Sequence, residues 1–268
     1  MHSLITEHRS VYIRRPNAPR RRLVHWAGMI SLAVGLAAGM APTAAVAVEF
    51  KVFHPVVEPG EWEFETRGWS IQDRRPEADG AQGAKLEVGY GVTSFWFTEL
   101  EAHYERVPGA NPEYRSTDWE NVLQFTEPGQ YWLNAGLVFE VEAGARPGVP
   151  SEVAAGPILQ KEIGSSLHTV NLIFESVEGE PDVNFVYGWQ SLWRLSALLQ
   201  PGFEAYGELG PVDAPKPAAQ QEHWLGPVVS GRVGLGTRQR LKYNLGYLFG
   251  LTAATPDRAW KWVLEYEF

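Results

Sequence analysis

The sequence predicts an all-β chain, a single transmembrane antiparallel up-and-down β-barrel of about 12 strands. Three observations carry this. Apolar and polar residues alternate with period two through most of residues 61–268, and no segment shows a comparable 3.6-residue period. The connections between strand-like segments alternate between tight and long. The chain closes on "WKWVLEYEF", with Trp260, Trp262, Leu264, Tyr266 and Phe268 on one face and Lys261, Glu265 and Glu267 on the other.

Residues 1–47 read as a separate unit. Arg14, Arg15, Arg20, Arg21 and Arg22 form a basic leader, "AGMISLAVGLAAGMA" follows over 27–41, and Pro42 breaks it before the small residues "AVA" at 45–47. This is the pattern of a secretory signal peptide cleaved after Ala47. At about 15 residues the apolar run is short of the ~20 that a spanning helix needs.

Removing the six Arg and one Glu of that segment from the chain's 23 bases and 32 acids leaves 17 and 31, a formal charge of −14. So acidic a balance argues against nucleic acid or anionic lipid as a partner, since both select for basic patches. Without cysteine, an exported chain has no disulfide framework. Beyond Ala47 no apolar run reaches the length of a spanning helix, so a membrane location requires a closed barrel.

Residues 48–60 hold "FKVFHPVVEPG" over 50–60, in which Pro55 and Pro59 argue against a central strand. The segment is either a periplasmic tail or a short plug inside the barrel, and its His54 has no assigned role. The barrel domain then runs over 61–268. "FWFTELEAHYERV" sets Trp96, Leu100, Ala102 and Tyr104 against Glu99, Glu101, His103 and Glu105. "YWLNAGLVFEVE", "FVYGWQSLWRL" and "LKYNLGYLFGL" repeat the pattern. Aromatics gather near strand ends, as interfacial girdles require. Tight turns are expected near 93–95, 127–130, 164–166 and 236–239, with a longer link at 196–202. Longer polar loops are expected near 74–82, 107–113, 144–152, 178–182, 210–221 and 253–257. Pro157 and Pro227 interrupt two strands, and a bulge at Gly68 would invert every facing beyond it.

The final nine residues resemble the C-terminal signature of Gram-negative outer-membrane β-barrel proteins, which end in Phe preceded by apolar residues at alternate positions. That resemblance implies an outer-membrane location. It also implies that Trp260, Trp262, Leu264, Tyr266 and Phe268 act as the assembly signal. The implied partners are outer-membrane lipid, the barrel-assembly machinery and periplasmic chaperones.

Parity assigns Glu63, Glu65, Arg67, Lys85, Glu99, Glu101, His103, Glu120, Glu140, Arg194, Arg232 and Lys242 to the lumen, with Glu61, Glu105, Asp118, Glu142 and Lys261 on the same face. Acids crowd the early strands and most bases the later ones. An open lumen of this kind passes small polar or cationic solutes; a sealed one pairs the same charges and acts through its outer loops. No cofactor is expected. A third reading is a lipid hydrolase, because outer-membrane phospholipases resemble this chain in barrel size and use a Ser–His pair oriented by Asn. Here "LHTVN" puts His168 and Asn171 on opposite faces, which does not match that pattern, and no catalytic residue is assigned. Asp213 and His223 flank the longest loop and read as solvated surface. His103, beside Glu101 and Glu105, has the donor types for a divalent cation, but a hydrogen-bonded lumen histidine fits it better, and no metal site is assigned.

Overall fold

Each alternating run becomes a strand because period two is the one geometry that puts all its apolar side chains on one surface. The computed structural model describes residues 50–268; the export signal expected over 1–47 lies outside them. Twelve strands follow in order: β1 (Trp62–Gln72), β2 (Gln82–Gly91), β3 (Trp96–Arg106), β4 (Glu113–Gln124), β5 (Asn134–Gly144), β6 (Glu152–Ile163), β7 (Ser166–Val177), β8 (Val183–Trp193), β9 (Gln200–Pro211), β10 (Glu222–Gly234), β11 (Arg240–Gly250) and β12 (Arg258–Glu267). Every strand pairs antiparallel with its sequence neighbour, and β12 returns to β1 to close the barrel. Closure leaves no strand edge with unpaired amides.

The closing seam is formed by the last residues of the chain. Glu63 faces Glu267, Glu65 faces Glu265 and Gly68 faces Trp262. Gly68 does not bulge: register runs unbroken through it on both sides. A side chain there would meet the Trp262 ring at 2.9 Å, so the glycine makes room for the indole lying over it. The bulges fall elsewhere. One lies where β4 passes His103 and Tyr104 of β3, and the other where β9 passes Phe185 and Val186 of β8.

Pro157 and Pro227 stay within strands. Each omits rungs to the following strand, between Ala155↔Phe174 and Ile158↔Asn171 and between Leu225↔Phe249 and Val228↔Gly246, without losing register. Proline has no N–H to offer a ladder.

The rim that carries residue 61 and the C-terminus, here the near rim, has the connections 92–95, 125–133, 164–165, 194–199 and 235–239. The far rim has 73–81, 107–112, 145–151, 178–182, 212–221 and 251–257. The turn expected at 127–130 is part of the longer 125–133 connection, whose Phe125, Tyr131 and Trp132 are exposed.

The outer surface is apolar. Aromatic pairs mark both rims: Trp62–Tyr90, Phe64–Phe268 and Trp193–Phe203 at the near one, Tyr104–Tyr114, Phe174–Phe185 and Tyr247–Trp260 at the far one. Between them Leu86, Leu100 and Leu245 are each at least half exposed.

The apolar core lies inside the barrel and is built around residues 50–57. Phe50 meets Trp69, Tyr206 and Trp224 edge-to-face at 6.5, 5.4 and 5.3 Å. Phe53 and Val57 pack with Val122, Val138 and Ile158. The segment therefore climbs from the near rim into the middle of the lumen.

Candidate functional site

Four groups hold residues 50–57 in place. The Phe53 N–H donates to Asn171 Oδ1 at 2.8 Å, and Asn171 Nδ2 donates back to the Phe53 carbonyl at 3.0 Å. The Val57 N–H donates to Gln124 Oε1 at 2.7 Å. Gln160 Nε2 lies 3.0 Å from His54 Nδ1, and the Tyr206 hydroxyl lies 3.0 Å from the Phe50 carbonyl. Asn171, Gln124, Gln160 and Tyr206 all project inward from strands, so the wall supplies the partners that a lone extended segment lacks.

Lys51 carries charge to the centre of the barrel. Its Nζ lies 3.2 Å from Glu87, 3.1 Å from Glu99, 3.2 Å from Glu101 and 2.8 Å from Glu120. Arg67 bridges Glu87 at 2.7 Å and Glu101 at 2.8 Å, with Glu65 at 3.3 Å. Lys85 lies between Glu101 at 2.9 Å and Asp118 at 2.7 Å. A second, smaller network occupies the opposite wall. Glu204 accepts from Lys261 at 2.5 Å, from the Tyr206 hydroxyl at 2.6 Å, from Gln190 at 2.7 Å and from Asn244 at 2.8 Å.

Register explains why the acids converge. Lys242 faces Glu265, Glu265 faces Glu65, Glu65 faces Glu87, and Glu87 faces Glu101. Glu101 in turn faces Asp118, Asp118 faces Glu142, and Glu142 faces Glu152. Directly opposed like charges destabilise a sheet, yet here they run across seven adjacent strands. The row begins close to the near rim on β11 and reaches the far rim at Glu152, the first residue of β6. A parallel row, Glu99–Glu120–Glu140, lies beside it.

Two cavities flank the segment. The near cavity, about 380 Å³, is lined by Glu63, Glu65, Gln190, Asn244, Lys242 and Glu265 among others. The far cavity, about 550 Å³, is lined by His103, Glu105, Glu142, Glu152, Glu175 and Glu208 among others. Phe50, Lys51 and Phe53 border both.

Of the residues placed in the lumen by parity, Glu65, Arg67, Lys85, Glu99, Glu101 and Glu120 are buried in the central network. Glu63 and Lys242 line the near cavity, and His103 and Glu140 the far one. Arg232 is exposed at the margin of the near cavity. Arg194 lies one residue beyond the end of β8 at Trp193 and pairs with Glu162 at 2.7 Å at the near rim. Asp118 and Glu142 on the next strands bring donor atoms within 4.8 Å of His103. Cross-strand neighbours stand closer than residues two apart along a strand. Further carboxylate groups of this closeness are Glu63–Glu65–Glu265, Glu87–Glu99–Glu101 and Glu101–Asp118–Glu140.

His168 and Asn171 do lie on opposite faces, and Asn171 is committed to Phe53. His223 sits on the outer face against the Tyr187 hydroxyl at 3.0 Å. The anchoring roles of Asn171, Gln124, Gln160 and Tyr206 were not legible in the sequence, where each is one inward polar residue among many.

No protein-family model and no curated protein matches this chain. Solved structures similar to it include a bacterial polysaccharide outer membrane secretin (8% identity, 81% of this chain and 99% of that one, TM-score 0.44). Another is outer membrane phospholipase A from Escherichia coli (12%, 84% and 95%, TM-score 0.38). A third is OmpT, an outer membrane protein of Vibrio cholerae (10%, 78% and 95%, TM-score 0.34).

Proposed function

We propose that this is a bacterial outer-membrane barrel that admits small cations to an acid-lined lumen, and that residues 50–57 hold the passage shut at mid-height. The exposed aliphatic belt between two aromatic rims suits a bilayer, with the shorter turns of the near rim toward the periplasm. The observation that carries the reading is the partition: two charged cavities share Phe50, Lys51 and Phe53 as their common wall. An excess of inward carboxylates over bases attracts cations and repels anions. A barrel meant only as a filled pillar has no need of it, since unpaired buried charge is costly.

The competing reading is a permanently sealed barrel, favoured by the close pairing of Lys51, Arg67 and Lys85 with their carboxylates. Planar-bilayer recording under a salt gradient separates the two. The passage reading expects infrequent openings with a reversal potential on the cation side. Openings that prefer anions would contradict it, and permanent silence from folded, inserted protein would establish the sealed barrel.

A further inference from the structure

Resting on the cation-passage reading, we propose that the seat of the Lys51 ammonium is a binding station for a hard divalent cation, which Lys51 occupies as a tethered competitor. An ammonium has three protons to donate, and four carboxylates lie within 3.2 Å of this one. The seat also leaves acceptors unused: Glu87 and Glu99 meet Lys51 through Oε2, and their second oxygens, Oε1, have no hydrogen-bond partner although the two residues are only 4% and 2% exposed. A spherical dication has no such limit and takes six or more oxygens, monodentate or bidentate, from carboxylates.

Charge leads to the same ion. Arg67 contacts Glu87 and Glu101, and Lys85 contacts Glu101 and Asp118. Lys51 contacts Glu99 at 3.1 Å and Glu120 at 2.8 Å. Two positive charges at that point would balance the seat better than one. Hard divalent ions prefer an all-oxygen donor set, which these four glutamates supply.

The station is also placed on a route. Glu63–Glu65–Glu265 on the near-cavity side and His103–Asp118–Glu142 on the far-cavity side each bring three donor atoms within 4.8 Å of one another. The row of facing carboxylates joins them through Glu87 and Glu101. Successive sites of this kind let an ion enter and leave without a deep trap. Arg67 and Lys85 belong to the wall, whereas Lys51 belongs to the inserted segment and leaves the seat when the segment moves.

The test is calcium binding, by titration calorimetry, to the full chain purified from outer membranes, compared with Lys51→Met. The inference expects Lys51→Met to bind Ca²⁺ at least about tenfold more tightly, because an internal competitor has gone. Adding Glu99→Gln and Glu120→Gln should abolish that gain. A folded Lys51→Met barrel without the gain, or a gain that survives both glutamines, overturns the inference.

The unaltered barrel gives a reading independent of how well the variant folds. Excess Ca²⁺ should expose Lys51 to amine acylation, while K⁺ at equal ionic strength should not; equal acylation in both overturns the inference. Calcium binding at this seat in a barrel that never conducts would retire the passage reading and leave the station standing. Cation conduction with no calcium effect on Lys51 would do the reverse.

Discussion

Asn171 and Phe53 exchange two hydrogen bonds across the lumen, at 2.8 and 3.0 Å, so that a side-chain amide on β7 does for the inserted segment what a neighbouring strand would do. Both partners are buried. The amide reads the Phe53 backbone rather than its side chain, which fixes the segment's height while the phenyl ring packs against Ile158 and its neighbours.

Asn171→Ala removes both bonds and leaves a buried N–H and carbonyl unmatched, each costing about 1–3 kcal/mol. The cost should appear locally. Hydrogen exchange by mass spectrometry should show residues 50–57 losing protection while β-strand amides keep theirs. Uniform loss over all strands would mean that the segment is an integral part of the barrel's stability rather than a separable insert.

Glu204 gathers four donors on the opposite wall, and Lys261 is buried against it. Glu204→Gln should destabilise the barrel by about 3–5 kcal/mol, because it strands a buried ammonium. Lys261→Met added to it should recover most of that loss. Denaturant unfolding in detergent measures both, and additive losses would show that the pair does not act as a unit.

Much of the barrel could be read from residue types alone. Period two places Glu99, Glu101 and Glu120 inward, and the terminal alternation from Trp260 to Phe268 forms a strand whose apolar face points outward against β1. What period two does not contain is register. That Glu101 faces Asp118 and Glu87 depends on turn lengths and bulges, so the row of facing acids appears only when the sheet is closed. Arg194 shows the other limit: parity continues on paper past Trp193, where the strand itself stops. Residues 50–57 stayed open between a tail and a plug, because His54 and Pro55 follow no period and the segment's partners come from far along the chain, as Tyr206 does for Phe50, 156 residues away.

Trp262 and Val263 are adjacent on β12, one outward and one lining the near cavity. Trp262→Arg should cost about 2–4 kcal/mol in a bilayer, as a charge on the lipid face near the midplane does. Val263→Arg should cost much less and should weaken cation preference. Folding titrations into lipid vesicles check the contrast, and equal penalties would reject the membrane orientation.

The far-rim loops 73–81 and 251–257 are clasped by Arg74–Asp257 at 2.8 Å and by the Asp257 N–H, which donates to Asp73 Oδ2 at 3.0 Å, while Arg75 holds Asp73 at 2.8 Å within its own loop. The Arg75 hydrogen bond holds the Asp73 carboxyl below its ordinary range, and the Arg74 hydrogen bond does the same for Asp257. A carboxyl depressed on folding contributes above its unfolded pKa and loses that contribution as pH falls through the folded value. The clasp should therefore hold unchanged from neutrality to about pH 4 and loosen below it. Hydrogen exchange in the two loops, followed from pH 7 to pH 3, reports this; loosening at pH 6 would assign the clasp to other groups.

In the proposed passage residues 50–57 form the barrier between the near and far cavities. Single-channel recording of the native chain beside Asn171→Ala, both purified from outer membranes, reads that barrier. Release of the segment should turn infrequent openings into sustained, cation-preferring conductance in the variant. Conductance equally absent from both, with insertion of each verified, would contradict the account.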